Sequence, residues 1–299
     1  QREEFAPAGE NGVVTFEVSI PEVATKAVVD DGSEINKLVY DVYWTDASVE
    51  TAPAPDQLTL LYKGTKEVVS HATTIKVELM NDKNYVILFW AQRGNTWGVE
   101  TDGTLLKDGV NFPDTFAANA ENIEAFAGVS FLSSNNLSAK KSITLKRPFA
   151  QINLGSKLAD NFTIVPTTSS MTVRNAGASF DLIKQVPVGN KTVEFSAAGV
   201  PGGKIKGDYT YVGMNYIFAN GNVEVDYTLN TEAEMTVTNT VSNVPVAVNY
   251  RTNIIGKLFT SQADYTVTLE EQWAGDEEII DVITDGLVKV QSTGEYKIS

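Results

Sequence analysis

Hydrophobic residues recur at every second position over much of the 299-residue chain. That period fits extended strands with one buried face and does not fit helices. In VVTFEVSI, Val14, Phe16, Val18 and Ile20 alternate with Thr15, Glu17 and Ser19 until Pro21 stops the run. KLVYDVYW repeats the pattern with Leu38, Tyr40, Val42 and Trp44, and Ile75, Val77 and Leu79 form a third set. Further pairs follow at Ile143/Leu145, Ile152/Leu154, Met171/Val173, Val193/Phe195, Val223/Val225 and Val267/Leu269. Clusters of Asn, Gly, Asp, Pro and Ser between them supply turn chemistry. The apolar run Tyr85–Ala91 (YVILFWA) suits a central strand covered on both faces. It is far shorter than the ~20 residues needed to span a bilayer. The fold expected is all-β, built as sandwiches.

One segment breaks the pattern. In PDTFAANAENIEAFAG, Phe116, Ala120, Ile123 and Ala127 recur at helical spacing, with Asp114 or Thr115 as a cap and Gly128 as a stop. One short helix is expected there. A glycine and proline cluster, SAAGVPGGKIKGDY (Ser196–Tyr209), suggests a linker. The expected division is a first domain over 1–200, a second over 201–275 and a tail over 276–299. The polar opening QREEFAPAGENG has no apolar signal core and reads as the start of a trimmed chain. The strand-like YKIS at the other end reads as a cut or extended terminus.

Composition removes whole classes of chemistry. With no cysteine there are no disulfides, thiolate metal sites or cysteine nucleophiles, and one histidine excludes multi-histidine metal centres. A net charge of −15 opposes binding to nucleic acid. His71 lies between two strand patterns with no G-x-S-x-G elbow in the chain, and reads as a turn or strand-face histidine. GVPGGKIKG fails the phosphate-loop pattern at Ala198 and Ile205. The acidic pairs Asp30/Asp31 and Glu270/Glu271, and the run Asp276–Glu278, lack calcium-loop spacing and read as solvated surface. A glycosidase would need two carboxylates across a cleft, which no spacing in the sequence specifies. Asn136, Asn161 and Asn190 fit N-x-[ST], a pattern expected by chance in a chain so rich in these residues. Trp44 and Trp90 fall in strand patterns, whereas Trp97 and Trp273 sit near turns. These last two are the candidate glycan contacts of an alternative reading, a carbohydrate-binding surface module.

Two stretches are less generic. LKRPFAQINLG (Leu145–Gly155) resembles the Arg-Pro-x-Ala-Gln strand of Bacteroidetes fimbrillins, the type V pilins. NYRTNIIGKLFTS (Asn249–Ser261) is similar to their Tyr-Arg-Thr-Asn-Ile-x-Gly-x-Leu-Leu-Thr stretch, and VVTFEVSIPEVATKAVVDDG resembles their first strand and processing site. The resemblance implies two tandem β-sandwiches, the first transthyretin-like. It also implies export as a lipoprotein, trimming by a trypsin-like protease, and assembly into an adhesive fimbrium on the outer membrane by strand exchange. No catalytic site and no cofactor are implied. The partners implied are other pilin subunits, the processing protease and a host or bacterial surface ligand. Processing would fall at Lys26–Ala27, where a lysine stands in place of the arginine of the best-known members. A subunit that keeps its first strand, as an anchor or tip, is the other form implied.

The first strand suits such an exchange. Burying Val14, Phe16, Val18 and Ile20 contributes roughly 6–12 kcal/mol before entropy losses, at about 1.5–3 kcal/mol per side chain. Cutting the covalent link then turns a permanent partner into a replaceable one. Val288, Val290, Tyr296 and Ile298 alternate across STG in the tail and are the candidate donor to a neighbour's groove, the alternative being a strand that pairs with the second sandwich.

Overall fold

The computed structural model describes residues 12–21, 34–80, 83–101, 103–135, 137, 140–157, 166–206, 209–232, 234–259, 264–271 and 279–283. In chain order the strands begin with β1 (Val13–Ser19), β2 (Lys37–Thr45), β3 (Thr59–Glu67), β4 (Ala72–Glu78) and β5 (Asn84–Gln92). Next come β6 (Val110–Asn111), β7 (Thr115–Ala117), β8 (Ala125–Leu132) and β9 (Lys140–Thr144). The chain continues with β10 (Ala150–Lys157), β11 (Pro166–Ala176), β12 (Ser179–Asp181), β13 (Val186–Val188), β14 (Lys191–Gly199) and β15 (Lys204–Lys206). It ends with β16 (Tyr209–Ile217), β17 (Gly221–Thr231), β18 (Thr236–Val246), β19 (Tyr250–Lys257), β20 (Asp264–Glu271) and β21 (Ile279–Ile283). The all-β expectation holds. Among the described residues no helix is long and apolar enough to cross a membrane.

Two sheets, ordered β4-β1-β9 and β3-β2-β5-β8, face each other as the first sandwich. Their core is built from Val14, Phe16, Leu38, Ile87, Phe89 and Leu145 among others. A second sandwich sets β15-β16-β10-β19-β20-β21 against β18-β17-β11-β14-β7, with a small sheet β13-β12-β6 beside it. β5 behaves as a doubly covered strand, since Tyr85, Ile87, Phe89 and Ala91 enter the first core while Val86, Leu88 and Trp90 enter the second. β2 does the same with Leu38 and Val42 on one side and Val39 and Tyr43 on the other. The middle sheet therefore joins two cores, and its apolar runs reflect burial on both faces.

The domain division differs from the one expected. β10 to β14 belong to the sheets of the second sandwich, so the main change falls between β9 and β10, around Lys146–Phe149, rather than near residue 200, and the short β6 and β7 reach across to the second sandwich from the first part of the chain. The glycine cluster is a turn inside the second sandwich: Gly202 and Gly203 take left-handed φ of 74° and 75°, and Gly202 N–H donates to the Tyr211 carbonyl at 3.2 Å. Glycine freedom served a tight return between two sheets, not a linker.

The expected helix over Asp114–Gly128 is also corrected. That segment forms β7, a single 3-10 turn at Glu121–Ile123, and β8. β7 pairs in parallel with β14, and Asn119 breaks the chain direction at φ 61°. The Asn119 side chain donates to Ser169 Oγ and to the Gly199 carbonyl, both at 2.9 Å, and accepts from Met214 N–H at 2.9 Å. Helical spacing of small apolar residues is a weak local preference, and pairing with two sheets overrides it.

On the outer face of the second sandwich, Arg174 of β11 bridges Glu224 and Asp226 of β17, with Nε 2.7 Å from Glu224 Oε1 and Nη2 2.9 Å from Asp226 Oδ1. Asp226 also accepts from Thr240 Oγ1 at 2.6 Å. The Arg174 guanidinium, helped by Thr240, holds the Asp226 carboxyl below the usual aspartate range. A depressed carboxyl stabilises the fold above its unfolded pKa, and that contribution drains away as pH falls through the folded value. The pair is largely solvated, so the effect is at most about 1 kcal/mol. Chemical denaturation between pH 5 and 2 should therefore show a shallower loss of stability for Asp226→Asn than for the native chain, with the difference developing below about pH 4.

Candidate functional site

β1 has a sequence any half-buried strand could carry; its partners make it unusual. It runs antiparallel to β4, with Phe16 opposite Ile75, and parallel to β9, with Val18 opposite Ile143. Val14 and Phe16 are 0% exposed, Val18 3% and Ile20 4%. The Phe16 ring meets Phe89 of the opposing sheet at 5.6 Å between centroids. Its ends are tied by Leu79 N–H to the Gly12 carbonyl at 2.9 Å, Ile20 N–H to the His71 carbonyl at 2.8 Å, and Leu145 N–H to the Ser19 carbonyl at 2.8 Å.

The polar face of β1 is bound mainly to β9. Lys140 Nζ lies 2.7 Å from Glu17 Oε1, and Ser19 Oγ lies 3.0 Å from Thr144 Oγ1. Lys140 and Ser142 lower the Glu17 pKa, the lysine hydrogen bond being the largest cause. Because adjacent strands are spaced about 4.8 Å, β4 and β9 stand roughly 10 Å apart across β1 and cannot pair with each other while it is seated. Without β1 the first sandwich would hold an open slot lined by Ile75, Val77, Ile143, Leu145 and Phe89.

Lys26 and Ala27 lie outside the described residues, in the stretch that follows Pro21. Val288, Val290, Tyr296, Ile298 and Trp273 also lie outside them. Trp97 is half-buried and faces Trp90, Phe112, Phe116, Phe149 and Phe218 at centroid distances of 5.5 to 6.0 Å. Its Nε1 donates to the Ile123 carbonyl at 2.9 Å. The ring serves the core where the two sandwiches meet, not an open platform. His71 sits at φ 59° in the β3–β4 turn beside Ser70 at φ 49°.

The two stretches behind the fimbrillin resemblance come together. β10 and β19 are parallel neighbours in the centre of the larger sheet, with Asn153 opposite Asn253 and their side chains bonded at 2.8 Å in a buried setting. Gly155 is required by close approach, since a Cβ there would lie 2.7 Å from both Ile205 and Ile255. Arg147, just before β10, is 2% exposed, bonds Glu124 Oε1 through Nε at 2.7 Å, and covers the Phe126 ring at 4.5 Å. These motif residues are architectural.

One cluster escaped the sequence reading. Asp41, fully buried in β2, accepts from Tyr43 Oη at 2.6 Å and Leu106 N–H at 2.8 Å, and pairs with Lys63 Nζ at 2.8 Å. Burial and the Asp41 charge push the Tyr43 phenol up. In KLVYDVYW, Asp41 falls on the face that alternation assigns to solvent, and nothing in the sequence says that this face is also covered.

A family model for a family of unknown function (DUF6562) matches residues 7–295. The chain belongs to DUF6562. No curated protein matches this DUF6562 chain. Among solved structures it is similar to a candidate cell adhesion protein from Bacteroides eggerthii at 12% identity and a TM-score of 0.49, covering 87% of this chain and 96% of that one. It is similar to a fimbrial assembly protein from Parabacteroides distasonis at 12% identity and 0.45, covering 87% and 95%. A third, described as a candidate polysaccharide binding protein from Bacteroides thetaiotaomicron, matches at 12% identity and 0.49, covering 86% and 95%.

Two substitutions test the packing described. Phe16→Asp places a carboxylate in the apolar slot and should lower unfolding free energy by at least about 3 kcal/mol, read by denaturant titration. Arg147→Met leaves Glu124 buried without its main partner and should cost about 3–5 kcal/mol in the same titration.

Proposed function

We propose that this chain is an exported structural subunit of a cell-surface fimbrium, with no catalytic role. In this reading it assembles by replacing β1 with a strand from a neighbouring subunit. The observation that carries it is the seat of β1, wholly buried on one face and paired on both edges. A strand in that position leaves a slot of matching shape and hydrogen-bonding capacity when it departs. The resemblance of Leu145–Gly155 and Asn249–Ser261 to fimbrillin strands supports the same reading.

Intact, β1 is an intramolecular partner whose high effective concentration outcompetes a donor strand from a neighbour. Hydrolysis of the Lys26–Ala27 bond by a lysine-accepting, trypsin-like protease removes that advantage. A donor carrying Val288, Val290, Tyr296 and Ile298 could then fill the four side-chain positions of β1 in the neighbour. Lipidated export to the outer membrane, with adhesion to a host or bacterial surface ligand, belongs to the same proposal. The carbohydrate-binding alternative loses Trp97 to the aromatic cluster, and no described residue favours it.

Cleaving the full chain after Lys26 and incubating it at neutral pH should give a ladder of oligomers that survives denaturant-containing gels. A fully cleaved chain with its C-terminus intact that stays monomeric would overturn the strand-exchange proposal.

A further inference from the structure

β18 ends its sheet, and among the described residues no strand pairs with its outer edge. Exposed sheet edges are templates for unwanted pairing, and proteins guard them with charge, proline, shortness or cover. The other edges here are guarded. β3, β4, β9, β15 and β21 carry charged residues, β6, β7 and β13 have two or three residues each, and β8 is bridged to Lys146 through Ala127. β18 runs eleven residues, TVTNTVSNVPV, without one charge, in a chain of net charge −15.

Its first seven residues have a further property. Thr236–Ser242 reads TVTNTVS, the same in both directions about Asn239 apart from serine for threonine at one end. An antiparallel strand paired with its own copy reads its sequence backwards, so a palindrome sets like against like. With the axis at Asn239, Thr236 faces Ser242, Val237 faces Val241 and Thr238 faces Thr240. Hydroxyl pairs and β-branched pairs of this kind are favourable neighbours across an antiparallel ladder.

The surroundings fit a flat, neutral seam. Thr236, Thr238, Thr240 and Ser242 are exposed, while Val241 is buried beneath them. The nearest acidic groups on the neighbouring strand, Glu224 and Asp226, are held by Arg174. The pairing with β17 runs in register from Thr236 to Val241 and then shifts, with Asn243 at φ 55° and Pro245 following, so the regular stretch covers the palindrome up to its last residue, Ser242. We propose that this edge is a two-fold interface with a second copy of the chain, joining two five-stranded sheets into one continuous sheet. The edge lies in the second sandwich, away from the β1 slot, so the proposal is independent of strand exchange.

The test is sedimentation equilibrium of the uncut full chain from about 1 to 100 μM, the range in which modest interfaces populate. The native chain should form a reversible dimer. Thr236→Lys with Ser242→Lys puts like charges opposite each other on both sides of the axis and should weaken the dimer roughly tenfold or more. Thr236→Lys with Ser242→Glu puts opposite charges at the same contacts and should restore it. All of these positions are exposed, so thermal melting should change little. As a second readout, Asn239→Cys supplies the only sulfhydryl in the chain and should give a disulfide-linked dimer on mild oxidation, because facing Cα atoms lie about 4.5–5.5 Å apart. A native chain that stays monomeric overturns the proposal, whether its own tail or a foreign strand covers the edge. So does a dimer indifferent to the paired lysines, or one the lysine–glutamate pair fails to restore.

Discussion

The first sandwich depends on one strand being held between two others that cannot reach each other. β4 follows β1 by a few dozen residues, whereas the Ser19–Thr144 contact that closes the other side spans 125 positions. Antiparallel pairing covers one edge of β1 over Val13–Ser19, and parallel pairing covers the other over Thr15–Ser19. Phe89 lies beneath Phe16, and Lys140 pairs with Glu17 at the rim of the slot that β1 fills.

The second dependence runs through the middle sheet. β2 and β5 are buried on both faces, so the first core cannot loosen without disturbing the second. Asp41 with Lys63, and Glu124 with Arg147, are charged pairs placed in that shared layer. Such pairs add little net stability but strongly penalise any arrangement that separates them, which fixes how the layers meet. Loss of β1 would therefore open one slot in a framework held rigid from the other side. On the strand-exchange proposal, that property would let the subunit accept a foreign strand without unfolding.

Much of this was legible from alternation alone, because a half-buried strand must hide every second side chain. The runs beginning at Val14, Tyr85 and Val223 lie in β1, β5 and β17 for that reason. What remained hidden was set by distant partners. The parallel neighbours β1/β9 and β10/β19 have no local signature, so nothing local marks the division between sandwiches, and the glycine cluster that imitates a linker is a turn. The helical spacing around Phe116 and Ile123 lost to sheet pairing anchored by Asn119. Asp41 looked like a solvent-facing residue because a single sequence does not reveal that a second layer covers its face.

The measurement that bears most directly on the central claim is amide hydrogen exchange on β4 and β9, before and after cleavage at Lys26 with the freed N-terminal fragment removed. Adding a peptide of residues 284–299 supplies the candidate donor. The account predicts that amides of Ala72–Glu78 and Lys140–Thr144 lose protection when β1 is removed and regain it with the peptide, while β10 and β19 stay protected throughout. Unchanged protection of β4 and β9 after β1 has gone, or no recovery with the peptide, would contradict it.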